Sequence, residues 1–181
     1  MPIRVKLRIL DDKGNFEHEQ DCHSWVLQYL QWLTAGFQGY FLSTQIKDIT
    51  ASMRTITSDI PRLDGVTGSN QKGIVVGLGT NVNAPADYQL QTLVAHGIGS
   101  NQLLHGTTSF IEPVVLSSSS AVTITRQFSN GGTNPVVIGE IGIYAFQGSY
   151  TFLFIRDKLD ATISIGAGVT KTVQYTIAES N

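Results

Sequence analysis

With one cysteine, Cys22, the 181-residue chain cannot build an internal disulfide framework. The thiol stands just ahead of an apolar helix and reads as buried and inert. Charge is scarce too. Asp, Glu, Lys and Arg make up 14% of the chain, against roughly 25% in an average soluble domain. The net charge is −2 and no basic run is present, so nucleic acid is not expected as a partner. No apolar run reaches the length of a membrane span. Met1–Leu10 alternates charge with hydrophobe, so it reads as a strand and not as the apolar centre of a signal peptide. A role outside the cell would then require release by lysis or another unconventional route.

The common catalytic and cofactor signatures are also missing. Gly77-Leu78-Gly79 follows the apolar run Ile74-Val75-Val76, as in a dinucleotide fingerprint, but Val82 stands where the third glycine should open a helix. A strand ending in a glycine turn is the simpler reading. His18, His23, His96 and His105 form no metal-ligand spacing, and Cys22 beside His23 is a sequence neighbour pointing elsewhere. There is no Gly-x-Ser-x-Gly elbow. An enzyme is therefore not expected, and no cofactor is required. Glu140, between Gly139 and Ile141 in an apolar strand, is either on the solvent face or buried and paired, and the solvent face is the favoured expectation because unpaired carboxylates are rarely buried. Calcium is the one candidate ion. Asn81, Asn83 and Asp87 lie in one oxygen-rich loop and Asp64 in another, and calcium takes six to eight such oxygens. Ordinary Asx turns are the competing reading.

Gly, Ser, Thr, Asn and Gln fill the place of the missing charge. Small uncharged polar groups cost less to desolvate than ions, so this composition suits a surface covered by neighbours. Ile3, Val5, Leu7 and Ile9 alternate with Arg4, Lys6 and Arg8, and Asp11–Asn15 is turn chemistry, so Phe16–Gln20 returns as the second strand of a hairpin. A helix is expected over Ser24–Phe37, with Ser24 as N-cap. Its rows Trp25, Tyr29, Leu33, Phe37 and Val26, Leu30 leave few polar positions. Such a helix is buried by its own sheet or by a neighbour. From Phe41 to Asn70 the pattern weakens, with Ser52–Thr57 a candidate strand, and the segment reads as an excursion ordered by contact with another chain. Gly73–Leu78, Phe110–Leu116, Ala121–Phe128, Pro135–Phe146, Tyr150–Arg156, Ala161–Ile165 and Val169–Ala178 read as strands, punctuated by Asn130-Gly131-Gly132, Gly148-Ser149 and Gly166-Ala167-Gly168.

The expectation is a mainly β, antiparallel sandwich or jelly roll with an N-terminal hairpin and one principal helix. It forms a single domain over 1–181: hairpin and helix in 1–40, a loop-rich excursion in 41–70 and the sandwich in 71–181.

Several stretches resemble a family of small phage-type virion structural proteins, found also in environmental sequence, and their tube-forming extracellular relatives. These are His23-Ser24-Trp25-Val26; Gly73–Thr80 with Asp87-Tyr88-Gln89-Leu90; Arg126-Gln127-Phe128-Ser129-Asn130; Glu140-Ile141-Gly142-Ile143-Tyr144; Ile155-Arg156-Asp157-Lys158-Leu159; and Val173–Ile177. Leu27-Gln28 departs from the basic residue and Asn expected there. The resemblance implies a building block of a tail, capsid surface or helical tube, with Asp87, Tyr88, Glu140, Gly142 and Tyr144 as structural anchors.

The functional expectation is a non-enzymatic subunit that self-assembles into a homopolymer, extracellular or in a virion. Trp25, Tyr29, Leu30, Leu33 and Phe37 are its candidate interface, and calcium at Asp87, Asn81, Asn83 or Asp64 tightens it. The alternative is a carbohydrate- or receptor-binding module of a phage particle.

Overall fold

The computed structural model describes residues 3–22, 25–37, 45–56, 61–116 and 119–180, with side chains at all of these except 3, 112–116, 119, 179 and 180. The expected Ser24 cap lies outside the described residues.

The chain is mainly β, with one helix among the described residues. The elements are β1 (Ile3–Leu10), β2 (Phe16–Cys22), α1 (Leu27–Phe37), β3 (Gln45–Lys47), β4 (Met53–Thr55), β5 (Gly73–Gly77), β6 (Ala95–His96), β7 (Gln102–His105), β8 (Ser109–Leu116), β9 (Ser119–Ser129), β10 (Val136–Gln147), β11 (Tyr150–Ile165) and β12 (Thr170–Ser180). The largest sheet runs β2-β1-β12-β9-β7-β6, with β8 also on β9. A second sheet runs β11-β10-β5, and β3 pairs with β4. Pairing is antiparallel except between β6 and β7, which are parallel.

The first hairpin turns where the sequence says it should. The Asp11 carboxylate accepts the Lys13 and Asn15 amides at 2.9 and 2.7 Å, and Gly14 takes φ 83°. The hairpin is built into the large sheet, because β1 lies between β2 and β12 in continuous register from Ile3↔Glu179 to Leu10↔Thr172. Period-two alternation sends Val5, Leu7, Ile9, Ile124, Phe128, Val173 and Tyr175 inward, into one apolar cluster with Ile74, Val76, Ile138, Ile141, Ile143, Phe152 and Ile155 of the second sheet. Burying each such side chain contributes about 1.5–3 kcal/mol.

The residues Tyr150–Arg156 and Ala161–Ile165 belong to one 16-residue strand, β11. Asp157, Lys158 and Asp160 look like a break in sequence, yet the ladder to β10 continues through a register shift at Gly139. The outer edge of β11 is sealed from within the chain. Val26 and Ile49 donate their amides to the Phe154 and Thr151 carbonyls at 3.1 and 3.0 Å. The Gln20 side-chain amide imitates a strand partner, donating to the Lys158 carbonyl and accepting the Asp160 amide, both at 3.1 Å.

The helix starts at Leu27 and not at Ser24, because Trp25 is held in a bridge with Ile155. Its inward side packs on β11: the Trp25 and Tyr29 rings stack at 3.9 Å, and Tyr29 and Trp32 lie 5.4 and 6.0 Å from Phe154. Residues 45–56 and 61–70 of the expected excursion make contacts within the chain. Ile46 and Ile56 are buried, and Arg62 exchanges backbone bonds with Phe146. At the β3–β4 turn the buried Asp48 accepts from Thr50, Ser52 and Arg54. Burial alone would raise its pKa, but these bonds outweigh it and hold the carboxyl at about 2. No described helix is long and apolar enough to cross a membrane.

Candidate functional site: a buried ion-pair knot beneath a loop cleft

The loop of residues 78–94 folds back over β10 and β11, held at its ends by Leu78 N to Thr92 O at 2.8 Å and Val94 N to Val76 O at 3.0 Å. Beneath it lies Glu140, expected on the solvent face but fully buried. The charge is tolerated because all its needs are met. Glu140 accepts the amides of Gly79, Gln91 and Thr92 at 3.2, 3.1 and 2.9 Å, and the Arg156 Nε–H at 2.8 Å. Arg156 in turn donates to Asp87 Oδ2 at 2.6 Å and, more weakly, to the Asn81 carbonyl at 3.3 Å. Burial works against the Arg156 charge, but the bonds to Glu140 and Asp87 prevail and raise its pKa.

The Gly77-x-Gly79 pair is explained by this carboxylate. A Cβ at Gly77 or Gly79 would stand 2.6 or 2.4 Å from Glu140 Oε1, so both positions must lack one. What looked like a fragment of a phosphate-binding fingerprint seats a side-chain carboxylate. Gly142 is held to glycine by the Ile155 carbonyl, 2.7 Å from where its Cβ would be. Tyr144 accepts the Leu90 amide at 2.9 Å, and burial pushes its phenol up to about 12. Thus Asp87, Glu140, Gly142 and Tyr144 meet around Arg156, and Tyr88 lines the adjoining cleft of about 330 Å³.

Of the four calcium candidates, Asp87 faces the Arg156 guanidinium, and Asn83 Oδ1 accepts the Lys158 amide at 2.9 Å. Asn81 contributes a carbonyl to Arg156. Asp64 pairs separately with Arg62, both side chains being largely open to solvent. Among the described residues no three His, Cys, Asp or Glu side chains converge as a metal group. Of the interface candidates, Trp25 and Tyr29 pack inward, Leu33 is half-buried, and Leu30 and Phe37 are 52% and 84% exposed.

A second buried cation went unnoticed in sequence. Arg126, 1% exposed, has no carboxylate partner among the described residues. Its Nε donates to the Gly106 carbonyl at 2.8 Å, one terminal nitrogen to Lys72 and Ile74 at 2.8 and 2.7 Å, and the other to Val66 and Ser69 at 3.1 and 2.6 Å. Every guanidinium N–H is used, and the charge is solvated by carbonyl dipoles. Burial lowers its pKa to about 10, which leaves it charged at neutral pH. The signal was its place on the inward face between Ile124 and Phe128. Beside it the buried His105 has Nδ1 3.3 Å from the Ser69 carbonyl, so Nδ1 carries the proton, and Nε2 has no partner among the described residues. Cys22 is buried as expected, and desolvation, followed by the nearby Asp157 carboxylate, pushes its thiol well up, which keeps it unreactive.

These features amount to a scaffold of buried charges beside the loop cleft; no family model, no curated protein and no solved structure matches the chain.

Proposed function

We propose that the chain is a non-enzymatic structural subunit, its two main sheets stacked as a β-sandwich, that assembles with copies of itself into a helical tube or a virion-like tail or capsid structure. The observation that carries this reading is the outward side of α1. Leu27, Leu30 and Phe37 are 48%, 52% and 84% exposed, while the opposite side of the same helix is packed on β11. An exposed apolar group of this kind marks a contact surface. A second copy is the favoured occupant because of the outer face of the large sheet. There Thr123, Thr125, Gln127, Thr172, Gln174 and Thr176 form an uncharged field, with Thr123 and Thr176 hydroxyls bonded at 3.0 Å. This field lies on β9 and β12, whereas β1 and β2 carry Arg4, Lys6, Arg8 and Glu19 on the same sheet face, so it is the β9–β12 part that costs little to desolvate. Repeating one heterologous contact between identical copies closes rings or generates helical tubes. The resemblance to phage-type virion proteins and extracellular tube-forming proteins points the same way.

Calcium enters this reading at Asp64. At Asp87 the cationic role is held by the buried Arg156, whereas the Arg62 fork on both Asp64 oxygens lies open to solvent, where an ion shared with a neighbour can displace it. Sedimentation velocity and electron micrographs of the purified protein, with calcium and then with excess chelator, test the proposal. Fast-sedimenting polymers are expected. A sharp monomer boundary at high concentration in both conditions rejects assembly, and polymers indifferent to the chelator reject the calcium part.

A further inference from the structure

The loop of residues 78–94 encloses more than Glu140. Its outer side and Arg156 bound the cleft of about 330 Å³, at the lower end of the roughly 300–1,000 Å³ usual for small-molecule sites. The knot leaves part of the polar wall unused. Gln91 spends only Oε1, which accepts the Thr80 and Asn81 amides at 3.1 and 3.2 Å. Both N–H groups on its Nε2 have no partner among the described residues. Asp87 spends Oδ2 on Ala84 N and Arg156, which leaves Oδ1 as an acceptor. The half-buried Tyr88 lines the same cleft, with the Lys47 ammonium 5.0 Å from its ring centre.

Charge narrows the ligand. Arg156 and Lys47 are balanced by Glu140 and Asp87, so the site is neutral overall. An incoming cation meets a guanidinium already seated on Asp87, and an anion meets two carboxylates. A neutral molecule with several hydroxyls and one apolar face meets neither obstacle. We propose that this cleft binds a small neutral saccharide. The sugar stacks its C–H face on Tyr88, accepts from Gln91 Nε2 and donates a hydroxyl to Asp87 Oδ1. The proposal does not depend on self-assembly.

Saturation-transfer NMR on the full chain tests it, with glucose, galactose, mannose, N-acetylglucosamine, lactose, maltose and cellobiose as probes. At least one sugar is expected to show transfer, strongest along one ring face. Gln91→Glu keeps the Oε1 acceptor for the two loop amides and loses the donors, so binding should weaken about tenfold with thermal unfolding unchanged. Tyr88→Ala should weaken it at least as much, and Asp12→Asn in the exposed first hairpin turn should have no effect. Absence of transfer from every sugar overturns the proposal, as does equal transfer in both cleft variants. Calcium titrating into the cleft, seen as shifts of the Asp87 and Gln91 resonances, overturns it too.

Discussion

The Glu140 carboxylate takes the Arg156 Nε–H at 2.8 Å, with side chains 0% and 4% exposed. Both charges were removed from water, so each now depends on the other. Glu140→Ala should destabilise the protein by about 3–5 kcal/mol, because Arg156 is left half-paired and the amides of Gly79, Gln91 and Thr92 lose their acceptor. Asp87→Asn should cost less, since Glu140 remains. Urea unfolding of the two variants measures the difference, and equal midpoints would mean that Glu140 holds the knot no more than Asp87 does.

Arg126→Lys keeps the charge and loses the fork. A lysine ammonium has three donors where the guanidinium bonds Gly106, Lys72, Ile74, Val66 and Ser69. Carbonyls left unpaired in the interior cost about 1–3 kcal/mol each. A loss of at least about 2 kcal/mol is expected, together with faster hydrogen exchange across residues 65–74. Exchange unchanged in that segment would show that the loop is held by its other contacts.

Acid should weaken the fold well above the carboxylate range. His105 is held at about 4, first by burial and then by the adjacent Arg126 charge, against an ordinary 6.5. Below pH 6.5 the unfolded chain takes up the proton and the folded chain does not. Stability is therefore full above about 6.5 and falls as pH drops toward 4, by of the order of 3 kcal/mol. His105→Asn keeps a donor for Ser69 and removes the titration. The variant's stability should be flatter across that window in urea unfolding at stepped pH.

The two sides of α1 should respond in opposite ways to charge. Tyr29→Asp places a carboxylate against Phe154 and Trp25 and should unfold the isolated subunit. Leu30→Asp with Phe37→Asp should leave the melting temperature within a few degrees and disperse the polymer. Loss of folding in the double variant would assign the exposed side to the internal core.

Strands framed by glycine and asparagine turns are legible from sequence: Pro135–Phe146 was expected where Val136–Gln147 lies, and Val169–Ala178 where Thr170–Ser180 lies. The short strands β3, β6 and β7 are not legible. β3 and β6, three and two residues long, pair with their near neighbours β4 and β7 and are too short to show alternation, while β7 is also held by the distant end of β9. The site was half visible. Asp87, Tyr88, Glu140, Gly142 and Tyr144 stood out through the resemblance, but Arg156 had no assigned role and Glu140 was expected outside. Base rates of burial say little about a carboxylate whose partners arrive from a loop some 50 residues earlier in the chain. Arg126 shares an inward face with Ile124 and Phe128, and a charged residue in register with an apolar row is the sign that would have revealed it.

The position of β1 between β2 and β12 also has a consequence for how the protein is made. During synthesis β1 can pair with β2 at once, but its other edge stays open until β12 emerges, Leu10 being separated from its partner Thr172 by about 160 residues. At about 5–20 residues per second that wait is about 8–30 s. For all that time Val5, Leu7 and Ile9 have no roof, and the nascent chain carries an unfinished sheet edge that a chaperone, or a neighbouring nascent copy, can reach first.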